Sequence, residues 1–224
     1  METPILYILA GPNGIGKSTS TYDIIPTFIP IVNADEIAKQ AKLAGLNIIN
    51  TQEYGNQEAL KLIKAYTDSN QSFAIETNLA TDETWKFLID IKNKGFKIHL
   101  IFLSTDDIEL LNKRIRERYL QGEHFVYPHI VEERYIVGLK LLNHYFNVPD
   151  IIHLIDNSKD LKIVAIKSGE RLEKLEDHLP GWITHYLVDH FQPTSAKQTA
   201  VKDLSSIEEV KKRYNQLKKG FDLQ

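Results

Sequence analysis

Cysteine is absent from this sequence. That excludes disulfides, thiolate metal sites and a cysteine nucleophile, and it suits a reducing compartment. Long apolar runs are missing too: none approaches the roughly 20 residues that a helix needs to cross a bilayer. The opening Met1-Glu2-Thr3-Pro4 carries no positive charge, and the apolar run behind it, Ile5 to Ala10, is too short for a secretory leader. These absences predict a cytoplasmic protein with no membrane partner. Charge of one sign is also in short supply. Lys and Arg number 27 against 30 Asp and Glu, a net charge of −3, which exerts no broad pull on nucleic acid or anionic lipid. None of the eight histidines falls into a His-Glu-x-x-His or comparable metal spacing.

What is present is an ordinary globular composition, 42% hydrophobic and 25% charged over 224 residues. A chain of that length builds a core without disulfides or structural metals. Residues 5–10 form a continuous apolar run between Pro4 and Gly11, the pattern of a strand buried on both faces of a parallel sheet. Similar runs recur at 29–33, 72–76, 97–104 and 151–155, with a further strand expected at 162–167. Helical spacing lies between them. Ala59, Leu62, Ile63 and Tyr66 mark a helix over 53–69, and 82–94 and 106–120 follow the same rule, the last opening with Asp106, Asp107 and Glu109 against its dipole. Strands alternating with helices predict an α/β fold, a parallel sheet flanked by helices; the glycine motif at 11–19, taken up below, makes it P-loop NTPase-type.

The last fifty residues change character. A helix is expected after Pro180-Gly181, with Trp182, Ile183, Tyr186 and Leu187 on one stripe. Residues 192–204 read as a loop. A second helix then starts at the capping signature of Ser205, Ser206, Glu208 and Glu209 and ends near Gly220. The expected organisation is a kinase domain over 1–170 and a helical C-terminal extension over 171–224, packed on it.

The strongest local signal is Gly11-Pro12-Asn13-Gly14-Ile15-Gly16-Lys17-Ser18-Thr19, which fits G-x-x-x-x-G-K-S/T without exception. Glycines let a backbone wrap closely around phosphates with its N–H groups turned inward. Gly11, Asn13, Gly14, Gly16, Lys17, Ser18 and Thr19 are therefore the expected ATP contacts. Lys17 would reach the β- and γ-phosphates, and the Ser18 hydroxyl would ligate Mg²⁺. The guanine-reading Asn-Lys-x-Asp of GTPases is missing, since the Asn-Lys pairs at Asn93 and Asn112 continue Gly-Phe and Arg-Ile. Strands instead end at Asn33-Ala34-Asp35 and at Glu76. Transfer to a small-molecule hydroxyl calls for such a carboxylate beside the γ-phosphate, to take the hydroxyl proton.

Each candidate has a plainer alternative. Asp35 could serve as that base or as the N-cap of a helix starting near Glu36. Glu76 could be functional or hold a structural partner. Arg114 and Arg118 share one helix face, and Arg134 follows a Gly122-Glu123-His124 loop. These arginines could line a mobile lid over the phosphates or complement a helix dipole. Arg116 points away, to solvent. His124 could touch substrate or simply lie exposed.

The segments GPNGIGKST at 11–19, NADEIA at 33–38, SFAIETNL at 72–79, GFKIHLIFL at 95–103, RIRERYLQGEH at 114–124, EERY at 132–135 and DNS at 156–158 together resemble the zeta-toxin family of P-loop kinases, in its stand-alone chromosomal branch. They run in family order across about 11–170. The resemblance implies ATP-dependent phosphorylation of a sugar-nucleotide hydroxyl, typically on UDP-N-acetylglucosamine, and it brings an antitoxin protein into view as a partner. It also implies roles: Asp35 as general base, Glu76 on the substrate or metal shell, Lys17 and Ser18 on ATP and Mg²⁺, Arg118 and Arg134 clamping phosphates. Two positions depart from the family pattern. Asn78 stands where a threonine is usual, offering an amide to the substrate in place of a hydroxyl, and Glu123 stands where the lid commonly has glycine. Both bear on the acceptor more than on the phosphoryl chemistry.

Overall fold

The computed structural model describes residues 3–20, 24–121 and 125–191, without the side chains of 19 and 20. Among these, seven strands form one sheet in the order β2-β3-β1-β4-β5-β6-β7. β1 (Ile5–Ala10), β2 (Ile31–Val32), β3 (Phe73–Thr77), β4 (Lys97–Ser104) and β5 (Ile151–Asp156) run parallel. β6 (Lys162–Ser168) and β7 (Arg171–Lys174) add an antiparallel edge. The expected strands are all present, and 97–104 keeps its expected bounds. The run expected at 29–33 is ordered as strand only at Ile31–Val32, because Pro30 has no N–H to give a ladder.

The helices that link these strands are α1 (Lys17–Ser20), α2 (Ala34–Leu43), α3 (Thr51–Asp68), α4 (Asp82–Asn93), α5 (Ile108–Leu120) and α6 (Pro128–His144). α5 starts two residues later than its acidic run suggests, because Asp107 is its cap: the Asp107 side chain accepts from Leu110 N at 3.0 Å. α6 was not among the expected helices. Its signal is present nonetheless, in Pro128 at the first turn and in the buried stripe Val131, Tyr135, Gly138, Leu139 and Leu142.

The sheet does not stop at residue 170. β7 hydrogen-bonds to β6, and α7 (Gly181–Tyr186) and α8 (Val188–Phe191) follow it. Asp106, just past β4, binds the start of α7 by accepting from Gly181 N at 2.7 Å and Trp182 N at 2.5 Å. Trp182 is buried, and its indole N–H donates to Asp156 at 3.0 Å. This stretch is therefore built onto the same sheet. The helix expected beyond Ser205 lies outside the described residues.

The strand order places the site. The chain runs from β1 outward to β2, back to β3, and then across β1 to β4 on its other side. The carboxyl end of β1 is thus the point where the winding reverses, and α/β sheets open a ligand crevice there.

Candidate active site

Register brings the candidate residues to one edge. Ala10, the last residue of β1, pairs with Thr77 of β3 and Phe102 of β4. Val32 of β2 pairs with Ile75. Asn33, Glu76 and the glycine loop from Gly11 therefore emerge side by side. The loop needs its glycines. Gly11 has φ +139, and a Cβ there would lie 2.2 Å from Leu103 O; Gly14 has φ +78 with Leu111 O at 2.6 Å. Backbone cannot yield as a flexible side chain can, so both positions accept only glycine.

Lys17 sits under this loop, 8% exposed. Its ammonium donates to Gly11 O at 2.9 Å, Pro12 O at 3.2 Å and Asn78 Oδ1 at 3.1 Å. Burial pushes its pKa down to about 8; nearby Glu76 and Asp35 pull it up, and Arg118 and Arg134 push it down further. Four of the residues singled out in the sequence are thus close enough to act on one buried cation.

Ser18 and Glu76 are joined directly. The Ser18 hydroxyl donates to the Glu76 carboxylate, with oxygens 3.1 and 3.0 Å away, and the Asn33 amide donates to the same carboxylate at 2.9 Å. A glutamate ends this buried strand because two polar neighbours wait for it. Thr19 follows Lys17 and Ser18 in α1.

Asp35 is not the cap of α2. Asn33 is, its side-chain oxygen accepting from Asp35 N at 3.0 Å and Glu36 N at 3.2 Å. Asp35 lies within the first turn, with an exposed carboxylate that accepts from Gln52 Nε2 at 2.8 Å. The capping role belongs to the residue two positions earlier, whose side chain and carbonyl accept from the first N–H groups of the helix.

The arginines stand on helices. Arg118 is in the last turn of α5. Arg134, on α6, donates to Asn13 Oδ1 at 2.9 Å and so ties that helix to the phosphate loop. Arg114 turns elsewhere, donating to Asn157 O at 3.2 Å. The Asn157 amide in turn donates to Ile15 O at 2.7 Å, bracing the loop from the β5 side. Arg116 is exposed, as expected. Asn78, expected to face a substrate, is turned onto Lys17. His124 lies outside the described residues. Gln52, Asn33 and Asn157 were not singled out in the sequence. Asn33 and Asn157 stand inside the segments NADEIA and DNS, whereas nothing local marks Gln52.

No family model matches the chain. An uncharacterised protein of Haemophilus influenzae is 26% identical over 125 residues, 56% of this chain and 88% of that protein. Among solved structures, a chain from the PezAT chromosomal toxin–antitoxin system of Streptococcus pneumoniae superposes with a TM-score of 0.57 at 16% identity, covering 97% of this chain and 88% of its own. A chain of the AvrRxo1-ORF1:-ORF2 complex with ATP gives 0.61 at 14% identity, covering 94% and 71%. At such identities the likeness is one of fold. This chain shares their fold, a mostly parallel α/β sheet flanked by helices, as its alternating strands and helices implied.

Proposed function

We propose that this chain is an ATP-dependent small-molecule kinase, moving the γ-phosphate of ATP onto a hydroxyl of a sugar nucleotide such as UDP-N-acetylglucosamine. One observation carries the reading: the buried ammonium of Lys17 lies beneath a complete phosphate loop and within the electrostatic reach of Glu76, Arg118, Asp35 and Arg134. A structural ion-pair cluster has no need of that loop, and a glycine loop that merely turns the chain has no need of two carboxylates and two guanidiniums.

In this reading the loop's N–H groups and Lys17 hold the triphosphate. Asp35, held by Gln52, accepts the proton of the acceptor hydroxyl as its oxygen bonds to the γ-phosphorus and the bond to the bridging oxygen of ADP breaks. Arg118 and Arg134 offset the charge on the transferring group, with planar donors suited to phosphate. Ser18 and Glu76 fit Mg²⁺, because both offer hard oxygen donors and already lie within 3.1 Å of each other. Groups of three or more His, Cys, Asp or Glu that could hold a metal are absent among the described residues. Mg²⁺ commonly uses only one or two protein oxygens together with substrate phosphates. Bound there, Mg²⁺ would neutralise phosphate charge.

A protein partner of the antitoxin kind belongs to the same proposal, supported by the likeness to a chain of the PezAT system. The test of function is a screen of sugar nucleotides, nucleosides and other metabolites with labelled ATP, identifying any phosphorylated product. A labelled sugar nucleotide supports the reading as stated. Label on another small acceptor keeps the kinase and overturns the substrate class. ATP binding without transfer to any acceptor points instead to a nucleotide-binding module that works through its partner.

A further inference from the structure

The ammonium of a lysine has three N–H donors. At Lys17 three acceptors surround it: Gly11 O, Pro12 O and Asn78 Oδ1. An incoming γ-phosphate must take the place of at least one of them. Two are carbonyls of the loop itself, fixed by a backbone that passes 2.2 Å from where a Gly11 Cβ would lie against Leu103 O. They cannot withdraw without unmaking the phosphate cradle. The third is a side-chain amide on a different segment, directly after β3, and rotation about two side-chain torsions is enough to remove it.

We infer that Asn78 is a placeholder for the γ-phosphate, holding Lys17 in the empty site and released by nucleotide to face the acceptor. This rests on the reading of Lys17 as the lysine that binds ATP phosphates. It deepens that reading by making Asn78 a positioning residue that links the two substrates. The amide oxygen stands in for a phosphate oxygen. Its removal from Lys17 frees both ends of the amide on the strand edge that also carries Glu76. Nucleotide should therefore bind first and prepare the acceptor side. Threonine at the same place has a shorter side chain and a single hydroxyl, so it reaches less far along the same line.

The charged neighbours that bear on Lys17 are Glu76, Arg118, Asp35 and Arg134, and none of them is altered in the test. Mg-ATP dissociation constants are measured at pH 6.5 for wild type, Asn78→Ala, Asn78→Ser and Asn78→Asp, with melting temperatures alongside. At pH 6.5, where Lys17 is charged, the Ala and Ser variants should bind Mg-ATP about 3- to 10-fold more tightly, since one net hydrogen bond no longer competes with phosphate. The Asp variant should bind about 10-fold or more weakly, because a carboxylate grips the ammonium harder and repels phosphate. A merely structural amide would not tighten ATP binding on removal, and it would not send the Ala and Asp variants in opposite directions. The Ser variant keeps a polar side chain at this half-buried position, so the test survives if the Ala variant fails to fold. Unchanged or weakened ATP binding in the folded Ala or Ser variant overturns the placeholder. A wild-type protein with no affinity for Mg-ATP overturns the nucleotide reading beneath it, a different and recognisable failure.

Discussion

A lysine that must be charged to hold phosphate sits here in a place that resists charge. Burial pushes Lys17 down to about 8, where a free lysine lies near 10.5. Below pH 8 the ammonium is present and ATP meets its partner. As pH rises past 8 the empty protein loses that charge, and binding must first restore a proton. Mg-ATP affinity should therefore be flat from pH 6.5 to about 8 and then weaken by up to about tenfold per pH unit. Lys17→Ala should bind poorly throughout and lose this dependence; titrations with a fluorescent ATP analogue test both. Asp35 makes a separate prediction. Because Asn33 caps α2, Asp35→Asn has no cap to disturb, and Gln52 can still donate to an amide oxygen. Transfer should fall by about 10²–10⁴, while ATP affinity and melting temperature hold. An unchanged transfer rate would remove Asp35 from the mechanism and move the role of base to Glu76. Lys17, Ser18 and Asp35 could be proposed from the sequence because residue type and spacing single them out. Gln52 could not, since its only distinction is a contact across seventeen residues.

The elements that carry these residues differ in how plainly the sequence announced them. Strands buried on both faces read as unbroken apolar runs, so β1, β4 and β5 were visible at once. β7 was not, because its Arg171-Leu172-Glu173-Lys174 is polar and lies on an edge, where charge is expected and apolar runs are not. α6 hid behind interest in its arginine, although Val131, Tyr135, Leu139 and Leu142 repeat at helical spacing. α2 and α3 form the platform that holds Asp35 and Gln52 together, and their closest approach is at Gly55. A Cβ there would lie 2.4 Å from Ala34 O and 2.9 Å from the Ala38 Cβ. Gly55→Ala gains helix propensity, worth about 1 kcal/mol on an open face. Here the clash with backbone should outweigh it, for a net loss of about 1–3 kcal/mol by overpacking. Phosphotransfer should fall as well, since α2 can relieve the clash only by shifting the turn that carries Asp35. Urea midpoints beside transfer rates check the pair. A more stable Gly55→Ala with normal transfer would show that the two helices slide apart freely.

At the scale of the whole molecule, the core that fixes this geometry contains two histidines that no chemistry uses. His153 of β5 is buried and His99 of β4 half-buried, their rings 4.6 Å apart and edge to face, with Tyr7 of β1 against His99 at 5.0 Å. Neither ring nitrogen of His153 has a hydrogen-bond partner among the described residues. Burial pushes His153 down to about 4, and burial together with the neighbouring His153 takes His99 well below its usual 6.5. The native state holds His153 neutral, while the unfolded chain binds a proton at about 6.5. Above pH 6.5 neither state takes that proton and stability is unaffected. As pH falls from 6.5 towards 4 the unfolded chain is charged and the native state is not, so stability drains away by an amount on the order of 3 kcal/mol for His153 alone. In a domain whose total is about 5–15 kcal/mol, that is enough to make mild acid the weak side of this fold. His153→Leu keeps the volume, leaves no buried N–H unpaired and cannot be protonated. Urea midpoints for both proteins at pH 7.5, 5.5 and 4.5 separate the histidine from the carboxylates, which titrate alike in each. The Leu variant should gain on wild type step by step as the pH is lowered. Midpoints that fall in parallel would mean that the pair finds its proton, or its water, without opening the sheet.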